Sequence, residues 1–244
     1  ECNTYNMKFV SSSAMICRTG KGVKKIVTCV KTFTDEYQAL SKLQEVPGVI
    51  KLLDVNTDTG TLYMDYHPRN LLEHLMTNKN VIADADSNKL YTKRILKTFI
   101  GLVETVNACH SKNIIHCDLK PDNILLDADE NPILIDFGHA IHLETSFYSF
   151  VRGTDGYQAP EMKLGHFGYF TDVYSLGVLL YTLLLIKSPK ILPDGDIDFN
   201  FNENEKLIPH ELVNLIVDMT EPYYERRPTT GYLLEALVLF DKNN

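Results

Sequence analysis

Apolar positions in the first part of the chain come in short runs broken by turn residues, whereas beyond about residue 67 they recur at helical spacing. The early runs are Tyr5 to Val10, Met15 to Arg18, Ile26 to Phe33, Gly48 to Leu53 and Thr61 to Tyr66. Gly20-Lys21-Gly22, Pro47-Gly48 and Asn56 to Gly60 separate them, so the pattern predicts a meander of antiparallel strands. One helix is predicted inside it, Asp35 to Leu43, where Ala39, Leu40 and Leu43 form an apolar stripe. Later segments at Leu71 to Met76, Leu90 to Ser111, Thr171 to Ile186, Pro209 to Met219 and Thr230 to Phe240 read as helices, with Asn88 and Thr171 as candidate caps. Between them, Ile124 to Leu126 and Ile133 to Ile135 predict a hairpin closed by Asp127 to Pro132. A small strand-rich lobe over 1–67 followed by a larger helical lobe over 68–244 is an α+β arrangement, with a cleft expected near Tyr66 to Pro68.

Composition narrows the class. With 44% hydrophobic and 23% charged residues the chain can bury a sizeable core. The longest uncharged apolar run, Val173 to Ile186, is 14 residues, short of the roughly 18 to 20 that span a bilayer. No membrane association is expected. A net charge of -8 argues against nucleic-acid binding through phosphate contacts and favours a cationic partner. Five cysteines without a C-x-x-C pair signal neither zinc nor a disulfide framework, which fits a reducing intracellular compartment, cytoplasmic or nuclear.

The densest polar cluster is His116-Cys117-Asp118-Leu119-Lys120-Pro121-Asp122-Asn123, followed after the hairpin by Asp136-Phe137-Gly138. Loop, hairpin and loop bring Asp118, Lys120, Asn123 and Asp136 to one edge. Asn and Asp offer hard oxygen ligands suited to Mg²⁺, while a carboxylate and an ammonium nearby suit proton acceptance and phosphate neutralisation. A turn-rich hairpin whose polar residues only satisfy backbone groups is the bland alternative.

These motifs resemble those of eukaryotic-type Ser/Thr protein kinases over nearly the whole chain. H-R-D-L-K-x-x-N stands as His116 to Asn123 with Cys117 in place of arginine, D-F-G as Asp136 to Gly138, and A-P-E as Ala159-Pro160-Glu161. The resemblance implies a two-lobed kinase fold binding ATP and Mg²⁺. Asp118 would orient the substrate hydroxyl and accept its proton, Lys120 would contact the transferring phosphate, and Asn123 and Asp136 would hold the metal. Asp172 resembles the aspartate that braces the catalytic loop, Tyr174 stands where tryptophan is usual, and Arg227 resembles the arginine that pairs with Glu161. Val27 to Lys31 resembles the V-A-I-K strand, making Lys31 the expected ligand of the α and β phosphates and Glu36 its partner, with Asp35 as fallback. Met64 would be the gatekeeper behind the adenine, Asp65, Tyr66 and His67 the hinge, and Asn70 a ribose contact. The short connections resemble in style the streamlined kinases of large DNA viruses or intracellular parasites.

Two departures bear on mechanism. The position of the glycine-rich loop reads Phe9 to Ile16, so Ser11, Ser12, Ser13, Ala14 and Ile16 are the expected phosphate-loop residues, without a glycine. Small side chains keep the volume but lose positive φ. Cys117 removes the arginine that grips a phosphate on the activation segment, where Thr145, Ser146, Tyr148 and Ser149 are phosphorylatable and Arg152 is a spare cation. The expectation is therefore activity without activation-segment phosphorylation, with a second copy or an activating partner on the Glu36 helix. Gly153-Thr154 before Tyr157 resembles the G-T-x-x-Y pattern of the Ser/Thr branch and disfavours small-molecule substrates. Between Ile191 and Glu205 there is no Lys or Arg, while Asp194, Asp196, Asp198, Glu203 and Glu205 are present, which suits a basic protein substrate. The alternative to a working kinase is a pseudokinase serving as a nucleotide-binding or scaffolding module.

Overall fold

The computed structural model describes residues 7–10, 14–20, 22–78, 85–144, 153–192, 197–201 and 208–243. Ser11 to Ser13, Thr145 to Arg152, Asp194, Asp196, Glu203 and Glu205 lie outside them.

The strand-rich part is a five-stranded antiparallel sheet in the order β1-β2-β3-β5-β4. Its strands are β1 (Met7–Val10), β2 (Ala14–Thr19), β3 (Gly22–Val27), β4 (Leu52–Asn56) and β5 (Thr61–Met64). Thr19 pairs with Gly22, so β2 and β3 are the arms of one hairpin; Lys21 lies outside the described residues. Helix α1 (Val30–Lys42) follows β3 and buries Phe33, Glu36, Ala39 and Leu40.

The expected strand Ile26 to Phe33 is corrected here. The chain leaves the sheet after Val27, and Val30 to Phe33 are the first turn of α1. Val-Thr-Cys-Val has strand propensity, but Phe33, Glu36 and Leu40 fall on one helical face, and burying that face outweighs it. The expected helix start at Asp35 is thereby moved to Val30, and the strand expected over Gly48 to Leu53 is displaced to β4.

Past the junction, β6 (Arg69–Asn70) pairs with β8 (Ile124–Leu126), which forms a hairpin with β9 (Pro132–Leu134). β7 (Ile114–Ile115) pairs with β10 (Ile141–His142), and β11 (Lys190–Ile191) with β12 (Ile197–Asp198). Around these pack α2 (Leu71–Asn78), α3 (Ala85–Ser111), α4 (Tyr169–Leu185), α5 (His210–Met219) and α6 (Thr230–Asn243). Asn88 lies within α3, three residues past its start at Ala85, whereas Thr171 caps α4, its Oγ1 accepting the Gly168 N–H at 3.2 Å. Every residue of α4 from Thr171 to Leu184 is buried, which explains an apolar run that ends short of a bilayer span. No helix among the described residues is long and apolar enough to cross a membrane.

The segment after α1 ties the strand-rich part to the helical one. Ile50 N–H donates to Leu134 O and Leu134 N–H to Gly48 O. Gly48 has φ +79°, and a Cβ there would fall 2.1 Å from Thr105 Oγ1 of α3. Only glycine permits this approach.

Candidate active site

Three elements bring the ionisable residues together. β3 places Lys25, 5% exposed, facing α1 and the loop after β9. Its Nζ lies 2.7 Å from Glu36 Oε1 and 2.8 Å from Asp136 Oδ1. Burial works against charge on Lys25, but the Glu36 and Asp136 carboxylates override it and hold its pKa above the ordinary value. Burial likewise opposes ionisation of Asp136, yet the Lys25 ammonium brings its pKa down to about 2. For Glu36, fully buried, desolvation pushes the pKa up despite Lys25.

Lys31 does not occupy this position. It sits in the first turn of α1, 53% exposed at its side chain, 3.3 Å from Asp35 in an i,i+4 pair. The assignment of Lys31 therefore passes to Lys25, and it is Glu36, not the fallback Asp35, that Lys25 meets. The missed signal was in the sequence: a Gly-Lys-Gly turn opens the strand that ends at Val27, and the 11-residue separation of Lys25 and Glu36 leaves room to turn into the helix.

Asp118, Lys120 and Asn123 are brought together as expected, on the loop that enters a single 3-10 turn at Pro121–Asn123. Asn123 Nδ2 donates to Asp118 O at 2.8 Å and to Asp118 Oδ2 at 2.9 Å. Lys120 Nζ lies 2.9 Å from Asp118 Oδ2 and donates to Thr154 Oγ1 at 2.6 Å. Thr154 Oγ1–H in turn donates to Asp118 Oδ1 at 2.6 Å. Thr154, read from the sequence only as part of a branch-specific motif, thus locks both charged groups. Gly153 beside it has φ +95°, and a Cβ there would meet Cys117 O at 2.7 Å, so glycine is required for the segment to lie on the catalytic loop.

The loop itself is strained and braced. Cys117 and Asp136 carry φ of 65° and 62°, uncommon for residues with a Cβ. Asp172 of α4 accepts the N–H groups of His116 and Cys117, each at 2.9 Å, as the resemblance implies. Its Oδ2 also lies 2.9 Å from His110 Nε2, a partner the sequence did not reveal. The Cys117 side chain packs among Ile115, Ile141, Ala159, Met162, Tyr174 and Val178. A small apolar-tolerant thiol suits that pocket; a guanidinium would need a counter-charge there. The His116 and Phe137 rings meet edge to face with centroids 4.8 Å apart. Arg227 makes a buried fork with Glu161 at 2.7 and 2.8 Å and lies 4.8 Å over the Tyr174 ring.

The remaining residues expected to contact a nucleotide lie on β2, at the end of β5 and in the segment that follows it. Met64 ends β5, buried and opposite Val23 of β3. Asp65 N–H donates to Lys51 O at 3.1 Å, so of its two backbone groups the N–H is committed. The Tyr66 ring is covered by the Arg18 guanidinium at 4.0 Å, and His67 is half-buried beside it. Ala14 and Ile16 lie on β2, at and just beyond its start. Asn70 Oδ1 accepts Leu72 N–H at 2.8 Å and its Nδ2 donates to Asp122 O at 3.1 Å, so the amide caps the start of α2 at the position the resemblance gives to a ribose contact.

The donor set fits Mg²⁺. With Asn123 Nδ2 committed to Asp118, its carbonyl oxygen is the free end. Asp136 keeps Oδ2 without a hydrogen-bond partner among the described residues, and its side chain is 40% exposed. No group of three or more His, Cys, Asp or Glu among the described residues is placed to hold a metal by itself. Mg²⁺ commonly takes one or two protein oxygens and completes its shell with water and substrate phosphate.

Comparison with known proteins agrees with this geometry. The protein kinase domain matches residues 4–238. The chain is 30% identical over 187 residues to calcium-dependent protein kinase 27 of Arabidopsis thaliana, covering 73% of this chain and 37% of that protein. It is 32% identical over 164 residues to serine/threonine-protein kinase GIN4 of Saccharomyces cerevisiae, covering 65% and 14%. With serine/threonine-protein kinase PknD of Chlamydia muridarum it shares 30% over 226 residues, covering 80% and 23%. The chain thus spans less than half the length of these relatives. A strand-borne lysine paired to a helix glutamate, a braced catalytic loop and a match over 4–238 together place this chain in the protein kinase domain family, with its two-lobed α+β fold.

Proposed function

We propose that this chain is a Ser/Thr protein kinase that transfers the ATP γ-phosphate to protein hydroxyls with Mg²⁺, without needing a phosphate on its activation segment. The observation that carries the reading is Lys25 bridging Glu36 and Asp136 beside an Asp118 held by Asn123, Lys120 and Thr154. Lys25 would grip the α and β phosphates, its charge secured by two carboxylates. Asp118, kept in one rotamer, would orient the acceptor hydroxyl and take its proton, while Lys120 would neutralise the moving phosphoryl group. Asn123 and Asp136 would hold Mg²⁺, which supplies charge neutralisation on the phosphate oxygens when bound. The names of the relatives support the Ser/Thr branch, as does Thr154 between Asp118 and Lys120. With a net charge of -8, basic protein substrates are the expected class.

The test is transfer of labelled phosphate from ATP to a panel of basic and acidic proteins. Asp118→Asn and Asp136→Ala should abolish it while leaving thermal unfolding near that of the parent. No transfer by the parent with any divalent metal, despite bound nucleotide, would replace this reading with a nucleotide-binding scaffold.

A further inference from the structure

A kinase that has lost the phosphate-gripping arginine still needs something to hold α1 so that Glu36 meets Lys25. Cys117 is buried in an apolar cluster and carries no charge to bind an added phosphate. Yet Glu36 is fully buried against Lys25 within this single chain. Apart from Ala39, Leu40 and Leu43, which pack the far end of α1 into the core, that end reaches the activation segment through an ion pair to one acid.

That acid is Glu144, two residues beyond β10. Its Oε2 lies 3.4 Å from Nζ of Lys42, in the last turn of α1. Its Oε1 accepts Asn113 Nδ2 at 2.6 Å. Asn113 sits between α3 and β7 with φ 59°, a conformation that asparagine tolerates better than most residues. Its backbone carbonyl accepts Leu143 N–H at 3.1 Å. The other end of its amide, Oδ1, accepts the hydroxyl of Tyr169, at the start of α4, at 2.6 Å. The Tyr169 ring packs on His110 with centroids 4.8 Å apart, and His110 contacts Asp172, which braces the catalytic loop. The Asn113 amide and the Lys42 ammonium hold the Glu144 carboxyl below the usual range, so it is charged whenever the site works.

We infer that Glu144 is a positioning residue: a fixed carboxylate that clips α1 to the catalytic-loop brace through Lys42 on one side and Asn113–Tyr169–His110 on the other, in the role an added phosphate would otherwise fill. The inference rests on the kinase reading only for its consequence on turnover; the clip itself is a conformational statement about α1. Lys42 lies six residues after Glu36, about 9 Å along the helix axis, so slack at Lys42 tilts Glu36 away from Lys25. Both side chains of the Lys42–Glu144 pair are substantially exposed, at 39% and 60%. Its share of the hold is therefore modest and sensitive to salt.

The experiment uses the full chain with four variants: Lys42→Met, Lys42→Arg, Glu144→Gln and Asn113→Gly. Glycine accepts the left-handed backbone, so Asn113→Gly removes the two side-chain bonds without adding strain. Amide hydrogen exchange over residues 30–42 and turnover are measured at low and high salt. Lys42→Met and Glu144→Gln should each raise α1 exchange and lower kcat about two- to five-fold at low salt, with the difference shrinking at high salt. Lys42→Arg should restore both to the parent values. Asn113→Gly should do more, about ten-fold, because both links end on it. Unchanged α1 exchange in all four variants would overturn the clip, as would turnover that falls without any change in α1. A parent chain that transfers no phosphate but shows the exchange pattern would retire the kinase reading and leave the clip standing.

Discussion

Replacing Lys25 by methionine separates the two lysines that the sequence alone confuses. The substitution removes the only ammonium within hydrogen-bonding distance of Glu36 among the described residues and leaves that carboxyl, 0% exposed, inside the protein. Its second oxygen, Oε2, already has no hydrogen-bond partner among the described residues. Breaking a buried pair from one side costs about 3–5 kcal/mol, but Glu36 can escape part of that by binding a proton. From an ordinary pKa of 4.5, holding the carboxyl neutral at pH 7 costs about 3 to 4 kcal/mol, and at pH 5 about 1 kcal/mol. The sign follows from proton counts. In the variant the folded state binds a proton that the unfolded state has released, so the destabilisation grows as pH rises through the unfolded value. Lys31→Met, by contrast, loses one exposed i,i+4 pair and should cost about 0.3–0.5 kcal/mol. Urea unfolding of parent, Lys25→Met, Lys31→Met and Lys25→Met/Glu36→Gln at pH 5 and 7 reads these numbers. The double variant should recover most of the loss and its pH dependence. If Lys31→Met costs as much as Lys25→Met, or if Lys25→Met costs under 1 kcal/mol at both pH values, the assignment of Lys25 is refuted.

The low pKa of Asp136, about 2, contributes stability that is complete above the ordinary carboxylate range and is lost as pH falls toward 2; an acid titration of Asp136→Asn, followed by tyrosine fluorescence, should lack that component. Gly48→Ala should destabilise by about 1–3 kcal/mol through the clash with Thr105, with KM for ATP unchanged in the protein that remains folded. Phosphatase treatment should leave turnover as it was, since position 117 offers no cation; a large drop would show that another cation reads a phosphate. A basic peptide should be preferred over an acidic one of equal length, the preference fading as salt shortens the Debye length below roughly 8–10 Å; an acidic preference would retire the electrostatic reading.

Why the catalytic loop was legible and the strand lysine was not is a matter of where each residue's constraint comes from. Asp118, Lys120 and Asn123 contact one another within a span of six residues, so their spacing in the chain already gives their mutual geometry, to which Thr154 adds its hold from the later segment. Asp172, Glu161 and Arg227 are distant in sequence, but each sits in a motif whose backbone is short and rigid, and each lands where the motif implies. Lys25 has no such local determinant. Its strand reads Gly-Val-Lys-Lys-Ile-Val, in which two adjacent lysines point to opposite faces and only the one meeting Glu36 and Asp136 is buried. Nothing in the strand itself says which face is inward. The run Val-Thr-Cys-Val-Lys mimics a better strand because of its strand-favouring residues, yet only Val27 of the five is buried; Thr28 to Lys31 are exposed, and α1 first enters the core at Phe33. Helical periodicity extending back from Leu40 through Glu36 to Phe33 was the available clue, and it required treating a glutamate as a core position. The Glu144 contacts were beyond reach for a related reason: Lys42, Asn113 and Tyr169 come from three separate elements, and only the packed fold brings them to one carboxylate.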